Sequence, residues 1–325
     1  MNVAIIGCGL IGQKRAKTLA QAKLVICVDQ IKERAESLAK QHPGCSAATD
    51  WHEAVNRPEV DIVIVCTLHV SLAEIALAAV QAGKHVLIEK PGARRASELA
   101  EVMTAAKTSG SLVRVGFNHR YHRAFRKARE LVDEGALGEL MFVRARYGHG
   151  GRVGYDKEWR AQPELSGGGE LLDQGVHLID LARWFLGDFS EVHGHAHTYY
   201  WDMPVDDNGF LMLKTPKKQV AFLHASCTEW KNLFSFELYG RDGKIDINGL
   251  GGSYGVERIS FYKMSPQMGP PETFIWEYPM ADDSWEVELA EFMEDVRQQR
   301  APSPGIHDAH AALKIVEEVY RMSNL

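Results

Sequence analysis

The stretch NVAIIGCGLIG, residues 2–12, places a short β-branched run directly before glycines at positions 7, 9 and 12. Glycines in G-x-G-x-x-G spacing are common in turns, but these follow a predicted strand and open a predicted helix, the context of dinucleotide binding. Gly7 permits the tight turn, Gly9 lets the backbone approach a pyrophosphate, and Gly12 lets helix and strand pack closely. The helix N-terminus then offers unpaired N–H groups to the phosphates. The stretch therefore predicts the first turn of a nucleotide-binding α/β domain.

The pattern that begins here continues to about residue 116. Apolar strand patterns such as KLVICVD, DIVIVCT and HVLIEK alternate with helix patterns, which is typical of a doubly wound parallel sheet, the Rossmann fold. Beyond residue 118, several strand patterns follow one another without intervening helices, which favours an antiparallel sheet. We therefore predict a Rossmann domain of residues 1–118 and an α+β domain of residues 119–325, whose C-terminal helices can pack back on the first domain.

Composition excludes several classes of protein. The 325 residues are 45% apolar and 25% charged, as in a soluble globular protein, and the net charge of −6 gives no sign of nucleic-acid binding. The apolar runs are too short to span a membrane. Five cysteines without a CxxC pair predict reduced thiols in a cytoplasmic protein, and nothing near Cys227 supports a nucleophilic role.

Asp29 ends the second strand pattern, where an acid can bind both hydroxyls of a ribose. A 2′-phosphate would meet its negative charge, so Asp29 predicts NAD rather than NADP, although Lys32 and Arg34 lie close by. The alternative is a doubly wound domain that binds another nucleotide or none.

The segment HVLIEKPGA, residues 85–93, puts Glu89 and Lys90 at the carboxyl end of a strand, where ligands bind in such folds. Lys90 could therefore reach a substrate hydroxyl or carbonyl. The alternative is a surface lysine at a strand-to-loop turn.

The segment GGGELLDQGVHLIDL, residues 167–181, carries Asp173 and His177 four residues apart, on one face of a helix predicted over 170–186. His177 is suited to proton transfer near neutral pH, and Asp173 could orient its ring or bind a substrate hydroxyl. Asp180, one turn further along, is expected to support the structure.

Three other interpretations of this segment stay open. The glycines could form a second phosphate site, although Glu170 and Asp173 would repel an anion. Asp173 and His177 could bind a metal with further donors from the HGHAH run (His193, His195 and His197), whose histidines share one strand face. The segment could also be a capped structural helix with an internal ion pair.

Taken in order, these motifs resemble the Gfo/Idh/MocA family of NAD(P)-dependent sugar and polyol oxidoreductases over essentially the whole chain. The resemblance implies a second domain with a large open, mostly antiparallel sheet that forms an oligomer interface, hence a homodimer or homotetramer. It also implies that Lys90 lies near the nicotinamide and the reacting carbon, with Asp173 and His177 as its catalytic partners. The chain departs from the family pattern where TLHVSL replaces T-P-N-x-x-H, and at Arg123, where many members have proline.

Two sets of ligands follow, with no metal among them. The expected NAD ligands are Gly7, Gly9, Leu10, Ile11, Gly12, Asp29, Arg34, Thr67, His69, Glu89 and Lys90. The expected substrate ligands are Lys90, Asn118, Arg120, Tyr121, Arg123, Trp159, Arg160, Asp173 and His177.

The sequence thus predicts an NAD-dependent dehydrogenase acting on a secondary hydroxyl of a sugar or sugar derivative. The cationic groups near the expected substrate site suggest an anionic substrate, such as a nucleotide sugar or a sugar acid. Two alternatives are an NAD-dependent glycosidase that uses transient oxidation and a non-catalytic NAD-binding protein.

Overall fold

The computed structural model describes residues 1–19, 21–267 and 269–325, and the chain folds into two compact units. The predicted second domain, residues 119–325, is discontinuous in the structure, because a short internal segment and part of the C-terminal region belong to the first unit. The first unit contains residues 1–117, 164–167 and 285–314, and the second contains residues 118–163, 168–284 and 315–325.

Strands and helices follow one another along the chain as follows. The strands are β1 (Asn2–Ile6), β2 (Lys23–Val28), β3 (Ser46–Ala48), β4 (Ile62–Val65), β5 (His85–Ile88), β6 (Val113–Val115), β7 (Leu140–Gly148), β8 (Glu191–His197), β9 (Asn208–Lys214), β10 (Val220–Ser226), β11 (Leu233–Gly240), β12 (Gly243–Asn248), β13 (Glu257–Lys263) and β14 (Glu272–Tyr278). The α-helices are α1 (Leu10–Lys17), α2 (Lys32–Ala39), α3 (Trp51–Val55), α4 (His69–Gln81), α5 (Ala96–Ser109), α6 (Arg123–Asp133), α7 (Pro163–Ser166), α8 (Val176–Leu186), α9 (Ser284–Gln298) and α10 (Ile306–Ser323). A π-helix spans Leu171–Gly175, and short 3₁₀ helices span Asn118–Tyr121, Tyr155–Lys157, Trp159–Ala161 and Gly252–Tyr254.

The first unit is built on a six-stranded parallel sheet with the order β3-β2-β1-β4-β5-β6. This is the strand order of a dinucleotide-binding Rossmann fold, and it confirms the predicted fold class. The strands are nearly continuous apolar runs because helices cover both faces of the sheet. Helix α9 contributes Leu289 and Phe292 to the core that contains Val3 and Ile5.

The second unit is built on an eight-stranded sheet with the order β14-β13-β12-β11-β7-β10-β9-β8. All neighbouring pairs are antiparallel except β7 and β10, so the predicted open, mostly antiparallel sheet is confirmed. Helices α6 and α8 pack on one face. Residues of β11 alternate between buried and partly exposed, as expected for a sheet with one covered face.

Some elements were missed or misjudged from the sequence. Strands β3 and β14 and helix α3 were not predicted, and β14 is mostly exposed, so it lacks the buried alternation that identifies a strand. Strand β6 is short and consists of the three residues Val113–Val115. In the part of the chain that the structure describes, no helix is long and apolar enough to cross a membrane.

Candidate active site

In the glycine loop of the first unit, each of the three glycines is required for a different structural reason. Gly7 has a φ of +94°, and a Cβ there would lie 2.5 Å from the carbonyl oxygen of Cys66. A Cβ on Gly12 would lie 1.9 Å from the carbonyl oxygen of Gly7. Gly9, the N-cap of α1, has no atom within 4 Å of such a Cβ. The loop is therefore tight where it packs and open at Gly9, as a pyrophosphate cradle requires.

The other expected ligands near this loop are at the surface or close to it. Asp29 follows β2 directly and is half-buried, and its Oδ2 accepts a 2.8 Å hydrogen bond from the backbone N–H of Cys8. Its Oδ1 accepts a 2.9 Å bond from the N–H of Ile31. Leu10 begins α1 and is exposed, with Ile11 beside it, and Arg34 is exposed on α2.

Glu89, which directly follows β5, is buried and binds other side chains of the first unit. Its Oε1 accepts a 2.7 Å hydrogen bond from Nε of Arg15, a fully buried residue of α1. Nη1 of Arg15 also donates to Oε2 of the buried Glu288 at 2.6 Å. Burial raises the pKa of Glu288, whereas the two carboxylates raise the pKa of Arg15 despite its burial. Through Arg15, Glu89 therefore helps to join α1, β5 and α9, and its contact with NAD stays a prediction.

Lys90, Thr67 and His69 follow the carboxyl ends of β5 and β4. Lys90 and Thr67 are half-buried, and Oγ1 of Thr67 donates to the carbonyl of Leu68 at 3.3 Å. His69 is buried, and its Nδ1 donates to the carbonyl of Ser166 at 2.8 Å. The histidine that stands in place of the family's asparagine thus anchors the short segment 164–167 to the first unit.

In the second unit, the segment that carries Asp173 is not the expected continuous α-helix. Leu171–Gly175 forms a π-helix, and α8 begins only at Val176. Such single π-turns are rare and are frequent at functional sites. Asp173 therefore lies on a widened turn, and the simple four-residue spacing to His177 does not describe their relationship.

Asp206 satisfies the N–H groups at the start of this segment. Its carboxylate accepts hydrogen bonds from the N–H of Gly169 at 2.9 Å, the N–H of Leu171 at 2.7 Å and the hydroxyl of Tyr320 at 2.7 Å. Burial raises the pKa of Asp206 to about 6, against the lowering effect of these bonds. A carboxylate of the chain itself thus occupies the position proposed for a second phosphate, and that alternative is not supported.

Each glycine of the GGG run allows a close approach. A Cβ on Gly168 would lie 2.4 Å from Oη of Tyr320, and one on Gly169 would lie 1.9 Å from the carbonyl oxygen of Asp206. Gly167, in the first unit, has a φ of +82°, and a Cβ there would lie 2.5 Å from Cβ of Arg94. These glycines serve packing within the protein.

Asp173 is bound by a guanidinium group. Nε of Arg160 donates a 2.9 Å hydrogen bond to Oδ2 of Asp173, and the guanidinium lies over the ring of Trp159 at 4.6 Å from its centroid. Burial alone would lower the pKa of Arg160, but the charge and hydrogen bond of Asp173 raise it. Arg160, an expected substrate ligand, therefore holds the predicted catalytic acid in place, and its guanidinium packs on Trp159, another expected substrate ligand.

His177 lies beneath a second imidazole. Its ring stacks on that of His119, with centroids 3.8 Å apart and an interplanar angle of 23°. Nδ1 of His119 lies 3.2 Å from Oδ1 of Asn118, whose Nδ2 donates to Oγ of Ser284 at 2.9 Å. The stacked imidazole of His119 therefore covers one face of the His177 ring. Tyr121, also an expected substrate ligand, is buried.

Arg120 and Arg123 have carboxylate partners of their own. Arg120 is buried and binds Asp180 with two hydrogen bonds, Nε to Oδ2 at 2.8 Å and Nη2 to Oδ1 at 2.5 Å. Arg123 donates to the carbonyl of Ala281 at 2.8 Å and pairs with Asp283 at 2.8 Å. Both arginines therefore have structural partners, as was expected for Asp180, and their contact with the substrate stays a prediction.

A buried pair near Asp173 was not predicted. Glu170 is 2% exposed, and its Oε2 lies 3.5 Å from Nε2 of His149, whose Nδ1 accepts a 3.0 Å hydrogen bond from the N–H of Gly151. Tyr254 lies near the same acids, and burial raises its pKa to about 12. The sequence signal for His149 was a histidine between glycines directly after a strand.

The histidines of β8 do not form a metal site with the described residues. His193, His195 and His197 are exposed on one face of β8, which is an edge strand, with the last two rings 5.8 Å apart. Within residues 1–19, 21–267 and 269–325, no group of three or more His, Cys, Asp or Glu side chains is arranged to hold a metal ion.

Comparison with known proteins matches both units to one family. Residues 1–117 match a model described as an oxidoreductase family with an NAD-binding Rossmann fold, and residues 125–246 match one described as a GFO/IDH/MocA C-terminal domain. Levoglucosan dehydrogenase of Pseudarthrobacter phenanthrenivorans is 27% identical over 288 residues, 76% of this chain and 73% of that protein. The scyllo-inositol 2-dehydrogenase (NAD(+)) of Bacillus subtilis is 25% identical over 333 residues, 97% of this chain and 92% of that protein.

Solved structures give the same fold. A levoglucosan dehydrogenase in complex with NADH superposes with a TM-score of 0.89, at 24% identity, over 99% of this chain and 98% of that chain. The same enzyme in complex with NADH and levoglucosan gives a TM-score of 0.87 at 24% identity, over 99% and 98% of the two chains.

Proposed function

This chain belongs to the Gfo/Idh/MocA family of NAD-dependent oxidoreductases, and we propose that it oxidises a secondary hydroxyl of a neutral sugar or polyol. The observation that carries this choice is that each arginine among the expected substrate ligands has a carboxylate partner. Arg160 pairs with Asp173, Arg120 with Asp180 and Arg123 with Asp283. These cations are therefore already neutralised, which argues against the expected anionic substrate.

The relatives described above are named as dehydrogenases of a sugar anhydride and a cyclitol. A net oxidation is therefore favoured over the glycosidase that uses transient oxidation and over the non-catalytic protein. The buried acid Glu170 supports the same choice, because its carboxylate would repel a negatively charged substrate.

The first unit suits NAD, which supplies the hydride acceptor when bound. The open side of Gly9 would hold the pyrophosphate, and the carboxylate of Asp29 would accept hydrogen bonds from ribose hydroxyls. The charge of Asp29 favours NAD over NADP. Comparing kcat/KM for the two cofactors tests this, with Asp29→Asn expected to narrow the difference, and a clear preference of the unaltered protein for NADP would refute it.

We assign proton transfer from the substrate hydroxyl to His177, assisted by the positive charge of Lys90, with Asp173 fixing the substrate through a hydroxyl. The stacking of His177 on His119 would keep its ring in one orientation. The ion pair with Arg160 would hold the carboxylate of Asp173 in one orientation, in which it could accept a hydrogen bond from the substrate.

The direct experiment is a screen of neutral pyranosides, cyclitols and polyols that follows NADH absorbance. With the best substrate, the His177→Ala variant should have a kcat lower by a factor on the order of 100 or more, and it should still bind NADH. His307→Ala, an exposed histidine in the first turn of α10, is the matched control and should keep full activity. An unchanged rate in His177→Ala would remove this residue from the mechanism, and no NADH formation with any sugar would refute the function.

We also propose a homodimer or homotetramer that associates through the exposed face of the second sheet. Met212 and Phe222 are opposite each other on β9 and β10, and about half of each side chain is exposed. Contiguous apolar surface of this kind marks interaction sites.

We also propose a cytoplasmic location, because all five cysteines are free thiols.

A further inference from the structure

Three aromatic side chains lie on loops at one end of the strands of the second sheet. Tyr199, Tyr200 and Trp230 are 61%, 58% and 66% exposed, far more than is usual for such large rings. They lie on the loops that follow β8 and β10. The carboxyl ends of β7, β8 and β10 lie side by side at the same end of the sheet. The register aligns His197, Asn208, Ser226 and Gly148 in one row.

The loop after β8 is held by a buried acid. The carboxylate of Asp207 is inaccessible to solvent and accepts hydrogen bonds from three successive N–H groups, those of Tyr199 at 2.9 Å, Tyr200 at 2.7 Å and Trp201 at 3.1 Å. The backbone that presents these rings is therefore ordered before any ligand binds, which lowers the entropic cost of binding.

Trp230 is held in an unusual conformation. Its φ is +57°, a left-handed value that a residue with a branched or bulky side chain rarely adopts. Backbone strain of this kind concentrates at functional sites. The ring of Trp230 meets that of Tyr200 edge to face, with centroids 4.6 Å apart at 88°.

Contacts continue from these rings to the buried acids of the same unit. Trp201 touches Tyr200 with centroids 5.2 Å apart and Tyr155 with centroids 5.6 Å apart. Tyr155 in turn meets His149 at 5.5 Å, and His149 lies beside Glu170. On the other side, a Cβ on Gly150 would lie 3.0 Å from Cα of Trp230. These contacts therefore connect the aromatic pair to the buried pair of His149 and Glu170, which lies close to the expected substrate ligand Asp173.

We propose that Tyr200 and Trp230 form a platform that binds a second sugar ring, so that the substrate is a glycoside or disaccharide. This inference rests on the proposed function. A pyranose ring has an apolar C–H face and a polar rim, which match an aromatic ring face with a polar edge. A second copy of the chain is the competing occupant. Two side chains, however, offer far less than the roughly 800 Å² per partner of a standard interface.

The test compares a disaccharide with the monosaccharide that carries the same oxidisable ring. Trp230→Ala and Tyr200→Ala should raise KM for the disaccharide about tenfold and leave kinetics with the monosaccharide unchanged. Tyr199→Ala is the matched control, because the ring of Tyr199 packs on His197 at 4.9 Å and is not part of the platform. All three residues are exposed, so the variants should fold.

Calorimetric titration of the disaccharide in the absence of NAD separates binding from turnover. Binding that weakens in Trp230→Ala supports the platform even if no sugar is oxidised, in which case only the proposed function fails. Unchanged disaccharide kinetics in both variants, or equal losses with both sugars, would overturn the platform. A drop in oligomeric mass in these variants, measured by light scattering, would also overturn it in favour of a second copy.

Discussion

Nε of Arg160 donates a 2.9 Å hydrogen bond to Oδ2 of Asp173. The two residues come from the 3₁₀ helix Trp159–Ala161 and from the π-helix Leu171–Gly175. Asp173 had been expected to act on His177 from a position one helical turn away. The ion pair instead fixes one oxygen of the carboxylate and neutralises a cation that had suggested an anionic substrate. The same pairing therefore bears on both the catalytic acid and the charge of the substrate.

Replacing Arg160 tests this pairing. Arg160→Gln should lower kcat by on the order of 10- to 100-fold, because Asp173 loses the partner that fixes its carboxylate. Arg160→Lys should recover part of the loss. Arg152→Gln is the matched control, since Arg152 lies on the same loop, is mostly exposed and pairs with Glu158. Steady-state kinetics with saturating NAD measure the effect, and an Arg160→Gln variant with normal kcat would exclude a positioning role.

Replacing Arg15 tests the interior of the first unit. Arg15→Met should lower the free energy of unfolding by about 3–5 kcal/mol, because it leaves Glu89 and Glu288 buried without their shared cation. Urea unfolding followed by circular dichroism measures the change. Arg34→Met, on the exposed face of α2, should be nearly neutral. Equal stability of the two variants would contradict the structural assignment of Glu89.

The pH dependence of stability should show the contribution of the ionised carboxylate of Glu237, which lies on β11 of the second sheet. Partial burial alone would raise its pKa, but hydrogen bonds from Arg144, Lys244 and Tyr239 lower it to about 2 from an ordinary 4.5. Because the pKa of the folded state is the lower one, this stabilisation is complete above pH 4.5 and is lost as the pH falls through about 2.

Glu237→Gln should therefore lower the Tm near neutral pH, and the difference from the unaltered protein should shrink as the pH falls below 4.5. Glu277→Gln, whose carboxylate is 57% exposed and 3.7 Å from Arg258, is the control with little effect at any pH. A Tm difference for Glu237→Gln that grows on acidification would refute the assignment.

Local patterns predicted the Rossmann unit well, and the reason is physical. Gly7, Gly9 and Gly12 are required by steric limits within a few residues of themselves, so their spacing carries the information. The buried parallel strands likewise produce apolar runs that are visible in the sequence.

Partners distant in sequence could not be predicted in this way. Arg15 and Glu288 are separated by 273 positions, and Arg120 and Asp180 by 60. The neighbouring sequence does not distinguish an arginine with such a partner from one that binds an anionic ligand. The π-helix could not be predicted from the sequence for the same reason. Asp206, which binds the N–H groups at its start, lies more than 30 residues further along the chain.

The measurement that tests the central claim most directly is a comparison of kcat/KM for a neutral pyranoside and for the matching uronic acid, with NAD as the cofactor. The two sugars differ only in one carboxylate. Because Arg120, Arg123 and Arg160 are each paired with a carboxylate and the nearby acid Glu170 is buried, the neutral sugar should be preferred by about tenfold or more. Equal values, or a preference for the uronic acid, would contradict the account.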